Sequence, residues 1–170
     1  MLSTLKRWFG HDASNAADPL APGSPLNGRG DYREDLIPTL RAEHQELLAL
    51  FGALERASKS SDEVACRTAL DRFTRLLQQH MLAENRHLYG YFARHGDPNP
   101  RVALRVETMS TEMLQIGKTL RRFITTYAQS TWSAALRERL QREVPAIGSM
   151  LAHRIHEEES ELYPLYRRAC

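Results

Sequence analysis

From Asp31 to Arg168, apolar residues recur every three or four positions, the spacing of helices that bury one face. In a first segment, about Tyr32 to Ala57, one stripe collects Leu36, Leu40, His44, Leu47, Phe51 and Leu54. Pro38 falls in its first turn, where a missing N–H costs nothing. A second segment opens at Ser60 and Glu63, spaced as a capping box. Its stripe reads Cys66, Leu70, Phe73, Leu77, His80, Glu84, His87 and Tyr91. It closes near His95-Gly96, where glycine suits a left-handed cap. Asn99-Pro100 reads as N-cap and first-turn proline of a third segment, with Val102, Val106, Met109, Met113, Ile116, Leu120, Phe123 and Tyr127 in line. A fourth segment, about Trp132 to Arg168, carries Leu140, Val144, Ile147, Leu151, Ile155, Glu158, Leu162 and Leu165, with a kink expected at Pro145. No segment alternates with a period of two. Four long amphipathic helices with short connections predict an all-α fold, an antiparallel four-helix bundle.

The first thirty residues break this pattern. Leu2, Leu5, Trp8 and Phe9 can form the apolar face of a short helix flanked by Lys6 and Arg7, and Asp18 to Gly30 is rich in proline and glycine. This predicts an N-terminal arm and linker over 1–30 and a bundle over 31–170. The arm either packs back on the bundle or docks on a protein partner or membrane surface.

Composition narrows the function classes. A chain of 170 residues with 42% hydrophobic and 26% charged residues is long enough for one domain with a real core. The net charge of +2 comes from dispersed basic residues, which argues against a nucleic-acid or anionic-membrane partner. No run approaches the length of a transmembrane helix, and Met1 to Gly10 carry no signal-peptide core with a cleavage site. Cys66 and Cys170 make no disulfide framework, so the expected compartment is cytoplasmic. There is no phosphate-binding glycine loop, nucleophile elbow or paired-cysteine zinc motif.

The chemistry lies inside the stripes. On a helix His80 and Glu84 are about 40° apart, so they leave the same face. His44 lies in the corresponding stripe of the first segment, and imidazoles converging with carboxylates inside a bundle hold transition metals. Glu158 is within about 20° of Leu151 on the fourth stripe, whereas His153 points about 160° away from it. A carboxylate there needs a metal or a partner such as Arg154. His87 is one heptad beyond His80, about 10.5 Å along the axis, too far to share one ion. His11, His95 and His156 read as exposed. Tyr91, Tyr127, Tyr163 and Tyr166 are packing residues or hydroxyls near a site.

Glu43-His44, His80-xxx-Glu84 and a Glu-rich last helix ending in Leu162-Tyr163-Pro164 together resemble the hemerythrin family, specifically the bacterial hemerythrin-like HHE cation-binding domains. The resemblance covers about Asp31 to Arg168. It implies a non-haem di-iron centre with His44 and His80 as terminal ligands and Glu84 as a bridge. From the last helix, His153 with Glu157 has the family spacing, and His153 with Glu158 the longer spacing of the oxygen carriers. A π-bulge between His153 and Glu158 would turn both inward. Counting back from Leu162-Tyr163-Pro164 places Arg154, not His153, at the family histidine. The third helix departs further: Glu112-Met113 stands where the family has Glu-His, and no histidine occurs between Pro100 and Tyr127.

The candidate metal ligands are therefore His44, His80, Glu84, Glu158, His153 and Glu157, and the expected cofactor is iron, either a pair or a single ion. The resemblance implies binding or sensing of oxygen, nitric oxide, redox state or iron, with a small diatomic ligand. A different reading is a degenerate bundle, with little or no metal, that acts as a regulatory interaction module. A third is an enzyme such as a di-iron oxidase or peroxidase, for which the sequence offers neither a substrate pocket nor a proton-delivery group.

Overall fold

The computed structural model describes residues 32–168, and they form four helical stretches with no strand among them. The arm and linker expected over 1–30 lie outside the described residues. Helix α1 spans Leu36–Ser60. Helix α2 is composite: Glu63–Ala83 is α-helical, Glu84–Tyr89 forms a π-helical turn, and Gly90–His95 returns to α. Helix α3 spans Pro100–Gln129. Helix α4 repeats the design of α2, with α-helical Ala134–Glu157, a π turn over Glu158–Leu162 and α-helical Tyr163–Arg168.

The helix ends follow local chemistry. Helix α1 runs past Ala57 because the Ser58 and Ser60 hydroxyls bond back to the Glu55 and Ala57 carbonyls. It stops at Ser61, whose φ of 58° is left-handed. Ser60 is therefore not the cap of α2. Asp62 fills that role, accepting from the Ala65 N–H at 2.9 Å. Gly96 ends α2 at a φ of 62°, in a region that nearly only glycine enters. Asn99 caps α3 through the Arg101 N–H, with Pro100 in the first turn. Helix α4 starts at Ala134, capped by Ser133, and continues through Pro145. Trp132 lies before it, half-buried beneath the Arg67 guanidinium.

Neighbouring helices run antiparallel. Leu36, Ile37 and Leu40 from the start of α1 share an apolar cluster with Leu88, Tyr91 and Phe92 from the end of α2, Met109 of α3, and Leu162, Tyr163 and Tyr166 from the end of α4. The other half of the molecule buries Phe51, Leu54, Phe73, Leu77, Leu120, Phe123, Ile124, Leu140 and Val144 in a second cluster, which also contains Met113. Helix α1 packs against α2 and α4, and α3 closes the bundle against the same two. Among the described residues no helix is long and apolar enough to cross a membrane. The buried ionisable side chains His44, His80, Glu84, Arg154 and Glu158 collect between the two apolar clusters, and they make the site.

Candidate metal centre

His44, His80, Glu84 and Glu158 each bring one ligand atom into a group whose members lie within 4.8 Å of one another. They come from α1, α2 and α4, and none is more than 3% exposed. The imidazole centroids of His44 and His80 are 4.7 Å apart. His44 Nε2 is 3.3 Å from Glu158 Oε2, and His80 Nε2 is 3.6 Å from Glu84 Oε2. The two site carboxylates both stand where a π turn begins. Such turns widen the helix locally and are frequent at functional sites.

Both imidazoles are held from behind. His44 Nδ1 donates to Glu159 Oε1 of α4 at 3.0 Å, and His80 Nδ1 donates to Glu43 Oε2 of α1 at 2.9 Å. An ionised carboxylate has no proton to give, so each Nδ1 carries one, and each Nε2 faces inward. This is how metal-binding histidines are oriented by an outer carboxylate. Tyr163, stacked on the His44 ring at 5.6 Å, donates its hydroxyl to Glu84 Oε1 at 3.1 Å and lies 3.2 Å from His44 Nε2.

The electrostatics separate the two carboxylates. Burial raises the Glu84 pKa, and the negative charge of Glu158 adds to it. Burial acts on Glu158 in the same direction, but hydrogen bonding with His44 and the Arg154 guanidinium hold its pKa below the ordinary carboxylate range. For His80, burial opposes the charged ring, yet Glu84, Glu43 and Glu158 outweigh it and raise the pKa. Burial, reinforced by Glu84 and Glu158, raises the Tyr163 pKa and keeps its hydroxyl protonated.

A cation fits this donor set. Glu84 Oε2 is buried and accepts no hydrogen bond, a costly state for a carboxylate oxygen. A cation among the four inward atoms satisfies it, and two imidazole nitrogens with two carboxylate oxygens suit a first-row divalent metal.

The other two candidate ligands stand outside the group. The His153 side chain is 74% exposed and faces Glu157 at 3.7 Å, and Glu157 accepts from Arg105 of α3 at 3.0 Å. The π turn of α4 starts at Glu158, not between His153 and Glu158, so it leaves His153 on the outer face. The core position is taken by Arg154, 3% exposed, whose Nε donates to Glu158 Oε1 and whose Nη2 donates to the Tyr89 hydroxyl at 2.7 Å. Met113 is buried within the apolar cluster. His87 is half-buried away from the site; burial, then Arg33 and Arg86, lower its pKa. His95 and His156 are exposed, and His11 is outside the described residues.

Sequence reasoning did not assign the bracing roles of Glu43 and Glu159, nor Tyr89. The available signal was adjacency: each bracing glutamate directly precedes or follows a stripe residue, His44 or Glu158, yet serves an imidazole on a neighbouring helix.

The family model described as Hemerythrin HHE cation binding domain matches residues 35–166. Comparisons with curated proteins and with solved structures find no match.

Proposed function

We propose, from the premise that this chain belongs to the hemerythrin HHE cation-binding family, that it is a non-haem iron protein that binds or senses a small diatomic molecule, oxygen or nitric oxide, or reports redox state or iron supply. The observation that carries the reading is the buried group of two inward Nε2 atoms and two carboxylates, with each Nδ1 fixed by an outer glutamate. Imidazole with carboxylate is a ligand set that suits Fe(II). When bound, iron supplies a redox couple and coordination positions open to a small ligand.

The chain's own residues set the conditions. His44 and His80 present neutral nitrogens, and Glu84 and Glu158 present the compensating negative charge. Burial of all four restricts access to molecules of a few atoms. The Tyr163 hydroxyl stays protonated at the edge of the site and is aimed at Glu84 Oε1, so it offers a hydrogen-bond donor beside the ligand atoms. The N-terminal arm is the surface we assign to a protein partner that would read the site's state.

Iron content of protein purified without chelator or affinity-tag metal tests this reading. Stoichiometric iron is expected, and His80→Ala should remove most of it while leaving helicity intact. If His80→Ala retains the parent's iron, the ligand assignment fails.

A second reading has its own support: Arg154 already compensates one site carboxylate from within the core. A bundle of this kind can persist without metal as a regulatory interaction module. An iron-free protein with an unchanged melting temperature after metal addition would favour it.

A further inference from the structure

We infer that this site takes one divalent cation per chain, because the Arg154 guanidinium already occupies the adjoining cation position bounded by Glu158, Tyr89 and Glu112. The inference rests on the metal reading above and concerns how many ions that site can accept.

The donors amount to one ion's worth. Two imidazole nitrogens, Glu84 Oε2 and Glu158 Oε2 converge, a set sufficient for one tetrahedral ion or for a higher-coordinate ion with open positions. The remaining oxygens are engaged. Glu84 Oε1 accepts from Tyr163, and Glu158 Oε1 accepts from Arg154 Nε. A second ion sharing Glu158 Oε1 would therefore sit directly against the Arg154 guanidinium. The outer nitrogens of both histidines are held by Glu43 and Glu159.

Beyond Glu158 lies a ring of oxygens built for positive charge, and it is filled. Arg154 Nη2 meets the Tyr89 hydroxyl at 2.7 Å, and Nη1 is 3.7 Å from Glu112 Oε2. The guanidinium is 3% exposed; its Nε and Nη2 are hydrogen-bonded to α4 and α2, while Nη1 has no hydrogen-bond partner and faces Glu112 of α3 only at ion-pair distance. A buried guanidinium keeps its charge, so a metal entering the same space would meet a full positive charge within a few ångströms. That repulsion offsets part of the attraction a shared carboxylate offers, and the guanidinium itself fills the space. Helix α3 adds no nitrogen donor: Met113 is packed in apolar surroundings, and the half-exposed Glu112 faces Arg154 and Arg105 at 3.7 and 3.8 Å.

The test is a count of ions. Metal-free full-length protein is incubated anaerobically with excess ferrous iron and desalted, and iron per chain is measured by mass spectrometry. The oxidised form is then examined by electron paramagnetic resonance. One iron per chain and the signal of an isolated high-spin ferric ion are expected. Arg154→His places an imidazole in the oxygen ring, and bound iron should approximately double while the isolated-ion signal falls as two ions couple. Arg154→Lys should remain at one. Circular dichroism checks that each variant is folded; if Arg154→His is not, the parent and Arg154→Lys decide by count and signal alone. Two irons in the parent would overturn this inference and leave the metal reading standing. No iron in the parent would overturn the metal reading and the inference with it. A folded Arg154→His that still holds one would overturn the role given to Arg154.

Discussion

Each imidazole at the site is held at its outer nitrogen by a glutamate from another helix, while its inner nitrogen faces the site's own carboxylates. The outer grip predicts a graded effect. Glu43→Gln and Glu159→Gln each keep a hydrogen-bond acceptor but lose the charge that raises ligand basicity. Metal affinity should fall by about 10–100-fold in each, with little change in the metal-free melting temperature. Competition with a chromophoric chelator measures it, and unchanged affinity would count against the bracing role. Protons add a second constraint at this scale. The folded pKa values of His80 and Glu84 are both raised, so both groups hold protons to higher pH than usual. Metal must displace those protons, so affinity should rise as pH climbs through the ordinary carboxylate range and past the free-histidine value, then level off. Calorimetry in buffers of different ionisation enthalpy should show protons released on binding; uptake of protons would contradict this. The inward residues were legible because His44, His80, Glu84 and Glu158 interrupt apolar stripes, where an unsatisfied polar group is expensive. The bracing glutamates were not, because a spacing along one helix does not reveal what the next helix presents. His153 carried a family spacing but lay on the wrong side of a regular helix, and there it remains, with Arg154 inside instead.

At the scale of the element, the two π turns need explanation. In a π turn the N–H reaches back five residues: Gly90 N–H bonds Asn85 O, and Tyr163 N–H bonds Glu158 O. One additional residue is thus accommodated without changing the direction in which the flanking α-helical parts face. Deletion of the exposed Arg86 from the first π turn should therefore heal into plain α-helix and leave Leu77 and Phe92 facing the core. Deletion of the equally exposed Arg72 from the α-helical part should rotate everything beyond it by about 100°. Thermal melts should show a much larger loss for the Arg72 deletion, and the reverse order would show that the π turn is not an accommodated insertion. Four helices were legible because each carries its three-four period over several turns. The π turns were not, because Leu88 and Tyr91 also fall near the stripe of a regular helix. Ser60 misled as a cap for a local reason: it spends its hydroxyl on the Ala57 carbonyl, which leaves Asp62 to cap α2.

Across the whole molecule, the donors come from α1, α2 and α4, and α3 sends none. Helix α3 is joined to the rest by apolar packing and by the ion pairs of Arg105 with Glu157 and Glu161 and of Glu112 with Arg154. Near its end Tyr127 donates to Glu143, and Arg67 donates to the Tyr127 and Ala128 carbonyls. It thus supplies no metal donor but is not held by apolar contact alone. A bound ion therefore acts as a rivet through three helices and misses the fourth. Ligand binding stabilises whatever must be intact for the ligand to stay, and local opening that spares the ligands is not opposed by it. Metal should slow amide hydrogen exchange strongly along α1, α2 and α4 and much less along α3, which would become the first part of the loaded protein to open. Equal slowing in all four helices would mean that α3 cannot detach alone. In a riveted bundle with one loose stave, any motion that opened the buried site along α3 would also be the first step of unfolding.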